Sequence, residues 1–330
     1  MEERTLGRTS RKVSVVGLGT WQLGADWGEV DEAAATGVLA AAVDAGVTFF
    51  DTADVYGDGR SEQLIGRFLR NNPGIRLTVA TKMGRRVPQV PEAYHLDAFR
   101  AWTDRSRLNL GTDCLDLVQL HCPPSSVHAS GQVFEALETL VDEERIAAYG
   151  VSVETCAQAL DAMTHPNLAS VQIILNAFRR KPLEEVLPTA AEKGVGVIAR
   201  VPLASGLLAG RYSGETVFAA TDHRTFNRAG ESFDVGETFS GVDFAAGVDA
   251  AAAFTDLVAA YGPEGATPAQ VALRWVVQMG ATTVIPGARN AEQARANAAA
   301  ADLPPLSDEL LAAVERLYDD RIRPQVHARW

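Results

Sequence analysis

Short β-branched runs alternate with longer Ala- and Leu-rich stretches along most of the chain. The short runs predict strands near 15–19, 47–51, 76–81, 115–120, 146–150, 169–174, 195–200 and 282–285. The longer stretches predict helices near 31–45, 61–71, 97–109, 131–143, 154–163, 184–193, 248–261 and 290–299. Strands that alternate with helices form a parallel sheet with the helices packed on it. Eight such pairs point to a closed (β/α)8 TIM barrel of the α/β class more than to an open sheet. A hairpin from Arg4–Leu6 to Lys12–Val15 precedes the barrel. Extra helices near 268–279 and 307–319 belong to the C-terminal part.

Cap signals agree with this division. Asp31 and Ser307 stand where helix N-caps are needed, Gly46 follows a helix, and Thr267-Pro268 places Pro in a first turn. The main irregular segment runs over about 203–249. It is rich in Gly, Ser and Thr and carries an aromatic cluster from Phe218 to Phe239. A loop this long is usually functional or disordered. Without a composition break, residues 1–330 read as one domain.

Length and composition fit this picture: 330 residues with 47% hydrophobic suit one barrel with a large core. The net charge of −12 argues against nucleic acid or an anionic membrane as main partner. No window approaches the roughly 20 apolar residues that a membrane span needs. The polar start lacks a signal-peptide core. Cys114, Cys122 and Cys156 show no C-x-x-C spacing, so a disulfide framework or a metal site is not expected, and a reducing cytoplasm is.

Candidate chemistry stands at the strand ends. The apolar run to Phe50 ends at Asp51, with Tyr56 just beyond. The run over 77–81 ends at Lys82, and that over 115–120 ends at His121. The other lysines are only Lys12, Lys181 and Lys193, so Lys82 is not background surface filling. Tyrosine is a poor acid, with a free pKa near ~10. A nearby ammonium favours its phenolate, a carboxylate holds that ammonium, and a neutral histidine can orient a carbonyl. Gly17-x-Gly19 is not a dinucleotide fingerprint, because Gln22 occupies the third glycine position.

These residues lie within a longer series: Gly17-Leu18-Gly19-Thr20-Trp21, Asp44 to Gly57, Ser61-Glu62, Thr81-Lys82, Leu120-His121, Gly150-Val151-Ser152, Pro202 to Gly206 and Ile285-Pro286-Gly287. Over essentially its whole length the chain resembles the aldo-keto reductases. The resemblance implies a (β/α)8 barrel that binds NADPH, and with less preference NADH, without a Rossmann fold. The implied reaction is reversible hydride transfer between the cofactor and an aldehyde or ketone, a small-molecule substrate. It makes Asp51, Tyr56, Lys82 and His121 the catalytic tetrad, with Tyr56 as general acid.

For the cofactor the resemblance implies contacts from Gly19, Thr20, Trp21 and Asp51 at the nicotinamide end. Ser152 and Gln172 would meet the carboxamide, although Val153 replaces the usual asparagine and Asn176 is the candidate substitute. Arg200 stands where relatives place a stacking aromatic; it would stack on the ring or reach phosphate, disfavouring the oxidised cofactor. Pro202, Leu203, Ser205, Gly206 and Leu208 would wrap the pyrophosphate. Gly287, Arg289, Gln293 and Asn297 would face the adenosine 2′-phosphate and adenine. Substrate walls are expected from Trp21, Trp27, Tyr56, Met83, the loop after His121 and the 211–240 segment, which suits a lid, a subunit contact or a packed Ω-loop. Two other functions fit the same residues: a barrel lyase using Lys82 as a Schiff-base nucleophile, and a non-catalytic cofactor-binding subunit.

Overall fold

The computed structural model describes residues 1–24 and 31–330; Trp27 lies outside them. An antiparallel hairpin opens the chain, with β1 (Glu3–Thr5) paired to β2 (Lys12–Ser14). Eight parallel strands follow in chain order: β3 (Leu18–Gly19), β4 (Phe49–Asp51), β5 (Thr78–Met83), β6 (Leu117–His121), β7 (Tyr149–Ser152), β8 (Ser170–Ile174), β9 (Gly196–Arg200) and β10 (Thr283–Val284). The first and last are joined by parallel bridges, Val16 to Val284 and Gly19 to Gly287, which complete a barrel.

The expected strand over 15–19 is therefore a bridge plus a two-residue ladder. The glycines explain the close seam. A Cβ on Gly17 would lie 2.9 Å from the Phe49 carbonyl oxygen, and one on Gly19 would lie 2.8 Å from that of Ile285. Any larger residue would force the seam apart.

Strand periodicity sorts side chains to the two faces of the barrel wall. Phe49, Ala80, Leu117, Ala169, Ile198 and Ile285 form an inner cluster, and Leu6 and Val13 of the hairpin join it, plugging the barrel floor. Their neighbours Phe50, Val79, Val118, Leu120, Val151 and Val171 belong to the core between sheet and helices. Met83 is in that outer core too, so it is not a cavity wall: it stands one residue beyond inward-facing Lys82, and the pleat turns it outward.

Helices lie between the strands as expected, with caps that explain their starts. Asp31 accepts from the Ala34 N–H at 2.7 Å, Ser307 accepts from Leu310 at 3.2 Å, and Thr267 forms a capping box with Gln270. Among the helix boundaries, two depart from expectation with a clear local cause or continuation. The helix over 248–261 begins at Phe244, because Asp243 caps it. The last helix, Asp308–Leu317, continues through a π-type turn, Tyr318–Ile322, into Arg323–Val326.

Helix Phe244–Tyr261 is by length and composition apolar enough to cross a bilayer, more so than the sequence reading allowed. Its alanines make it so. Ala250, Ala251, Phe254 and Val258 are buried in the core around β9 and β10.

The 203–249 segment carries short helical turns at Ala204–Ala209, His223–Phe226, Val235–Glu237 and Phe239–Gly241. Asn227, fully buried, accepts from the Ser232 and Phe233 N–H groups and donates to Thr238. Trp330 anchors the segment from outside: its indole donates to Asp234 at 3.2 Å, and the Arg179 guanidinium lies 3.7 Å from its ring centre. The segment is thus a packed Ω-type loop fastened to the barrel.

Candidate active site

Inward positions change character along each strand: Phe49 then Asp51, Ala80 then Lys82, Leu117 then Gln119 then His121, Ile198 then Arg200. The apolar members fill the floor. The polar ones collect at the C-terminal ends, where barrels place their chemistry.

Lys82 Nζ donates to Asp51 Oδ1 at 2.5 Å and to the Thr52 carbonyl at 2.8 Å, and it lies 3.5 Å from the Tyr56 hydroxyl. Lys82 is 1% exposed and Asp51 2%. Burial opposes the ammonium, but Asp51 and Tyr56 outweigh it and raise the Lys82 pKa above its ordinary 10.5. Burial raises the Tyr56 pKa above its ordinary 10.0; Lys82 pulls it down, with Asp51 and Glu237 opposing, and the net direction is up. Tyr56 is therefore a neutral phenol with the ammonium close to its oxygen.

The His121 ring stands edge-on to Tyr56, with centroids 6.0 Å apart. Burial, reinforced by Arg85, Lys82 and Arg200, drives its pKa well below 6.5, so the ring is neutral. Backbone strain is concentrated here. Cys122 directly after His121 and Val201 directly after Arg200 both have left-handed φ, 48° and 52°, which is an outlier for a β-branched residue.

One cavity of about 470 Å³ runs from Tyr56 and His121 to the start of helix Ala291–Ala298. Gly19, Thr20, Trp21, Asp51, Gln172, Arg200, Pro202, Leu203, Ser205, Gly206, Gly287, Arg289, Gln293 and Asn297 all line it. Ser152 and Leu208 do not. Ser152 is buried behind Cys122, whose thiol donates to it at 3.4 Å. The Leu208 side chain is in the core and its N–H donates to Leu203. Asn176 cannot stand in for the missing asparagine: it is buried, donates to Val201 and Ser240, and accepts from Phe178. The space beside Gly287 is filled by the Gln22 side chain, which a Cβ there would strike.

Arg200 differs from expectation. It donates to Glu154 at 2.7 Å and to the Val153 carbonyl at 3.1 Å, and it lies 3.6 Å from Glu237. Arg85 reaches the same two acids at 3.2 and 2.8 Å. Burial works against the Glu237 carboxylate, but Arg85 and Arg200 hold it below the usual range. The charge of Arg200 is thus compensated by two acids. Cys122, Glu154 and Glu237 bring possible metal-ligating atoms within 4.8 Å of one another. The two guanidinium groups already supply the positive charge that a cation would bring.

Sequence reasoning missed these acids and Arg85, because they come from loops with no periodic pattern. It also missed Gln119, although a polar residue inside the run over 115–120 was a visible signal.

The irregular segment completes the far wall. Tyr212, Arg224 and Glu237 line the cavity, while His223 and Phe233 pack on Trp21 with centroids 5.0 and 5.8 Å away. Tyr212 donates to the Ser205 carbonyl and accepts from Arg224. Asp222 pairs with Arg224 at 2.5 Å and Arg289 at 3.7 Å. Burial opposes its charge, but Arg224 and His223 more than offset this, and its carboxyl lies below the usual range.

Asp54, behind Tyr56, is 1% exposed, and neither carboxylate oxygen has a hydrogen-bond partner among the described residues. Burial, then Glu62, pushes its pKa up to about 7. Because the folded value lies above the unfolded one, the folded state favours the neutral acid. The resulting penalty is absent below the unfolded value of 3.8 and grows as pH rises to about 7. Asp54→Asn is therefore expected to raise stability by ~1–4 kcal/mol at about pH 8 and by little at about pH 4. Melting curves at the two pH values check this; an equal effect at both would contradict it.

The aldo/keto reductase family model matches residues 15–319. An uncharacterized oxidoreductase of Mycobacterium tuberculosis is 33% identical over 299 residues, 88% of this chain and 85% of its own. The aldo-keto reductase YhdN of Bacillus subtilis is 30% identical over 228 residues, 68% of this chain and 69% of its own. Among solved structures, a glycerol dehydrogenase of Gluconobacter oxydans superposes with a TM-score of 0.78 at 27% identity, covering 98% of this chain and 96% of that one. An aldo-keto reductase of Klebsiella pneumoniae in complex with NADPH gives 0.71 at 26%, covering 96% of each. Matching along nearly the full barrel, together with the ordered strand-end residues, establishes that this chain belongs to the aldo/keto reductase family.

Proposed function

We propose that the protein is an NADPH-dependent oxidoreductase that reversibly reduces an aldehyde or ketone to an alcohol, with Tyr56 as general acid. The observation that carries this reading is the buried Lys82–Asp51 pair set behind the Tyr56 hydroxyl at one end of a single long cavity.

The cavity fits an extended dinucleotide by its charge. Arg211, Arg224 and Arg289 line its far end, with the Asp222 carboxylate holding two of them. An excess of guanidinium suits phosphate groups. The bound nicotinamide would supply or accept the hydride. Tyr56 gives its proton to the carbonyl oxygen as that oxygen gains charge. Neutral His121 orients the carbonyl by hydrogen bonding. Lys82 stabilises the phenolate left on Tyr56, and Asp51 keeps Lys82 charged and in place. Trp21, stacked over Tyr56 with centroids 6.1 Å apart, walls the site against water. The structural neighbour bound to NADPH supports the cofactor choice. We take residues 1–330 as one catalytic domain acting in a reducing cytoplasm, which suits its three free thiols.

Lys82 is a poor Schiff-base nucleophile here. It is buried, ion-paired and outside the cavity wall, whereas that chemistry needs an accessible neutral amine.

Titration by tryptophan fluorescence tests the reading. NADPH is expected to quench saturably through Trp21, with NADH weaker by on the order of tenfold, since it lacks the phosphate that charge-assisted bonds would hold. Arg289→Ala should narrow that gap; equal weakening of both would place the phosphate contact elsewhere. Absence of binding by either nucleotide would overturn the proposal. Binding without turnover of any simple aldehyde would favour a cofactor-binding subunit instead.

A further inference from the structure

The layer of the barrel beneath the reaction site is polar where packing alone would make it apolar. Asp51, Gln119 and Gln172 come from β4, β6 and β8, the alternate strands that share one interior layer of a barrel. All three are buried, at 2%, 0% and 1% exposure. Asp51 Oδ2 accepts from Gln172 Nε2 at 2.7 Å and from Gln119 Nε2 at 3.3 Å. Its other oxygen holds Lys82. A carboxylate paired to an ammonium can only accept, so both amides must turn their nitrogens towards it.

Gln172 Nε2 also donates to Gln119 Oε1 at 3.3 Å. Both N–H bonds of Gln172 are thereby used inside the layer. Gln172 lines the cavity and Gln119 does not. The only hydrogen-bonding atom Gln172 has left for the cavity is its carbonyl oxygen.

We infer that Gln119 is a positioning residue that locks the Gln172 amide, so that the cavity meets an acceptor selective for an N–H donor, the primary carboxamide of nicotinamide. This inference rests on the NADPH reading above. Gln119 acts through two neighbours at once: it fixes the side of Gln172 that faces the cofactor, and it holds the Asp51 carboxylate that anchors Lys82. A residue that merely filled space would do neither. With Gln119 replaced by an apolar side chain, the Gln172 amide keeps its bond to Asp51 Oδ2 but loses the acceptor of its second N–H, and that freed N–H becomes a donor available to the cavity beside the carbonyl oxygen.

The test compares equilibrium binding of NADP+ with that of its 3-acetylpyridine analogue, in which a methyl ketone replaces the carboxamide and so removes the N–H donor. Fluorescence quenching reads both dissociation constants. The unmodified protein should prefer the carboxamide by on the order of tenfold, since the ketone leaves the acceptor unpaired. Gln119→Leu and the near-isosteric Gln119→Met should bring the ratio to within about threefold, chiefly by strengthening relative binding of the ketone. General loosening of the fold would weaken both ligands alike and leave the ratio standing, which would overturn the inference. A ratio near one in the unmodified protein would overturn it too, without any variant needing to fold. If neither nucleotide bound, the reductase reading itself would fall; nucleotide binding without discrimination would remove only the role of Gln119.

Discussion

Tyr56→Phe is expected to lower kcat/KM for carbonyl reduction by on the order of 10³-fold, within the range for loss of a positioned general acid. The dissociation constant for NADPH should stay within about twofold, since the lost hydroxyl faces Lys82 and the substrate rather than the phosphate end. Phe retains the ring that stacks on Trp21 and meets His121 edge-on, so the wall stays intact. The pH profile supplies a second check. Burial raises the Tyr56 pKa above 10.0 despite Lys82, so the acid form persists through neutral pH and reduction should be flat there. Alcohol oxidation needs the phenolate as base, and its rate should climb with pH towards the alkaline limb. Near-normal reduction by Tyr56→Phe, or oxidation that falls as pH rises, would remove Tyr56 from the acid role.

Lys82→Met should be nearly as damaging to turnover and, unlike the tyrosine change, costly to the fold. The ammonium is the strongest electrostatic pull on Tyr56 towards its phenolate. Without it, burial and Asp51 both make the phenol a weaker acid, and reduction should fall by on the order of 10²–10³-fold. The same change strands Asp51, 2% exposed, with amide donors and no counter-charge. Removing one member of a buried pair typically costs about 3–5 kcal/mol. Denaturant melts should show that loss. Asp51→Asn combined with Lys82→Met should restore much of the stability and none of the turnover, because Asn needs no counter-charge while Tyr56 still lacks its cation. Recovery of turnover in the double variant would refute the role given to Lys82.

The pH dependence of the pair follows from the raised Lys82 pKa. Its stabilising contribution is complete below the unfolded lysine value of 10.5 and is lost only as pH rises through the higher folded value. The Lys82–Asp51 pair thus holds throughout neutral pH, while the opposing contribution of Asp54 builds between the unfolded 3.8 and about 7 and persists above that.

The candidate tetrad was legible because Asp51, Lys82 and His121 close recognisable strands, whose period places them inward, and Tyr56 follows the first of them by five residues. Asp51, Lys82 and His121 follow Phe49, Ala80 and Leu117 at even spacing on their strands. The helix caps were equally local, since a capping side chain bonds a backbone group three residues away, as Asp31 does with Ala34. Gln119 carried a signal of the same kind, a polar residue in an apolar run, whose meaning appears only when β4, β6 and β8 face one another. The Arg85, Glu154, Arg200 and Glu237 bridge had none. Its members come from four separate segments, with Arg85 and Glu237 being 152 residues apart.

The sequence alone determined the barrel, the order of its strands and the residue that each strand end delivers, because period and caps act over a few residues. Tertiary structure alone decided which charges are compensated. It tied Arg200 to two acids, left the Asp54 carboxylate without a hydrogen-bond partner among the described residues, and folded the 203–249 segment across the cavity, with Trp330 fastening it. Ion pairing and burial depend on what distant segments bring within a few ångströms, and no local pattern encodes that distance.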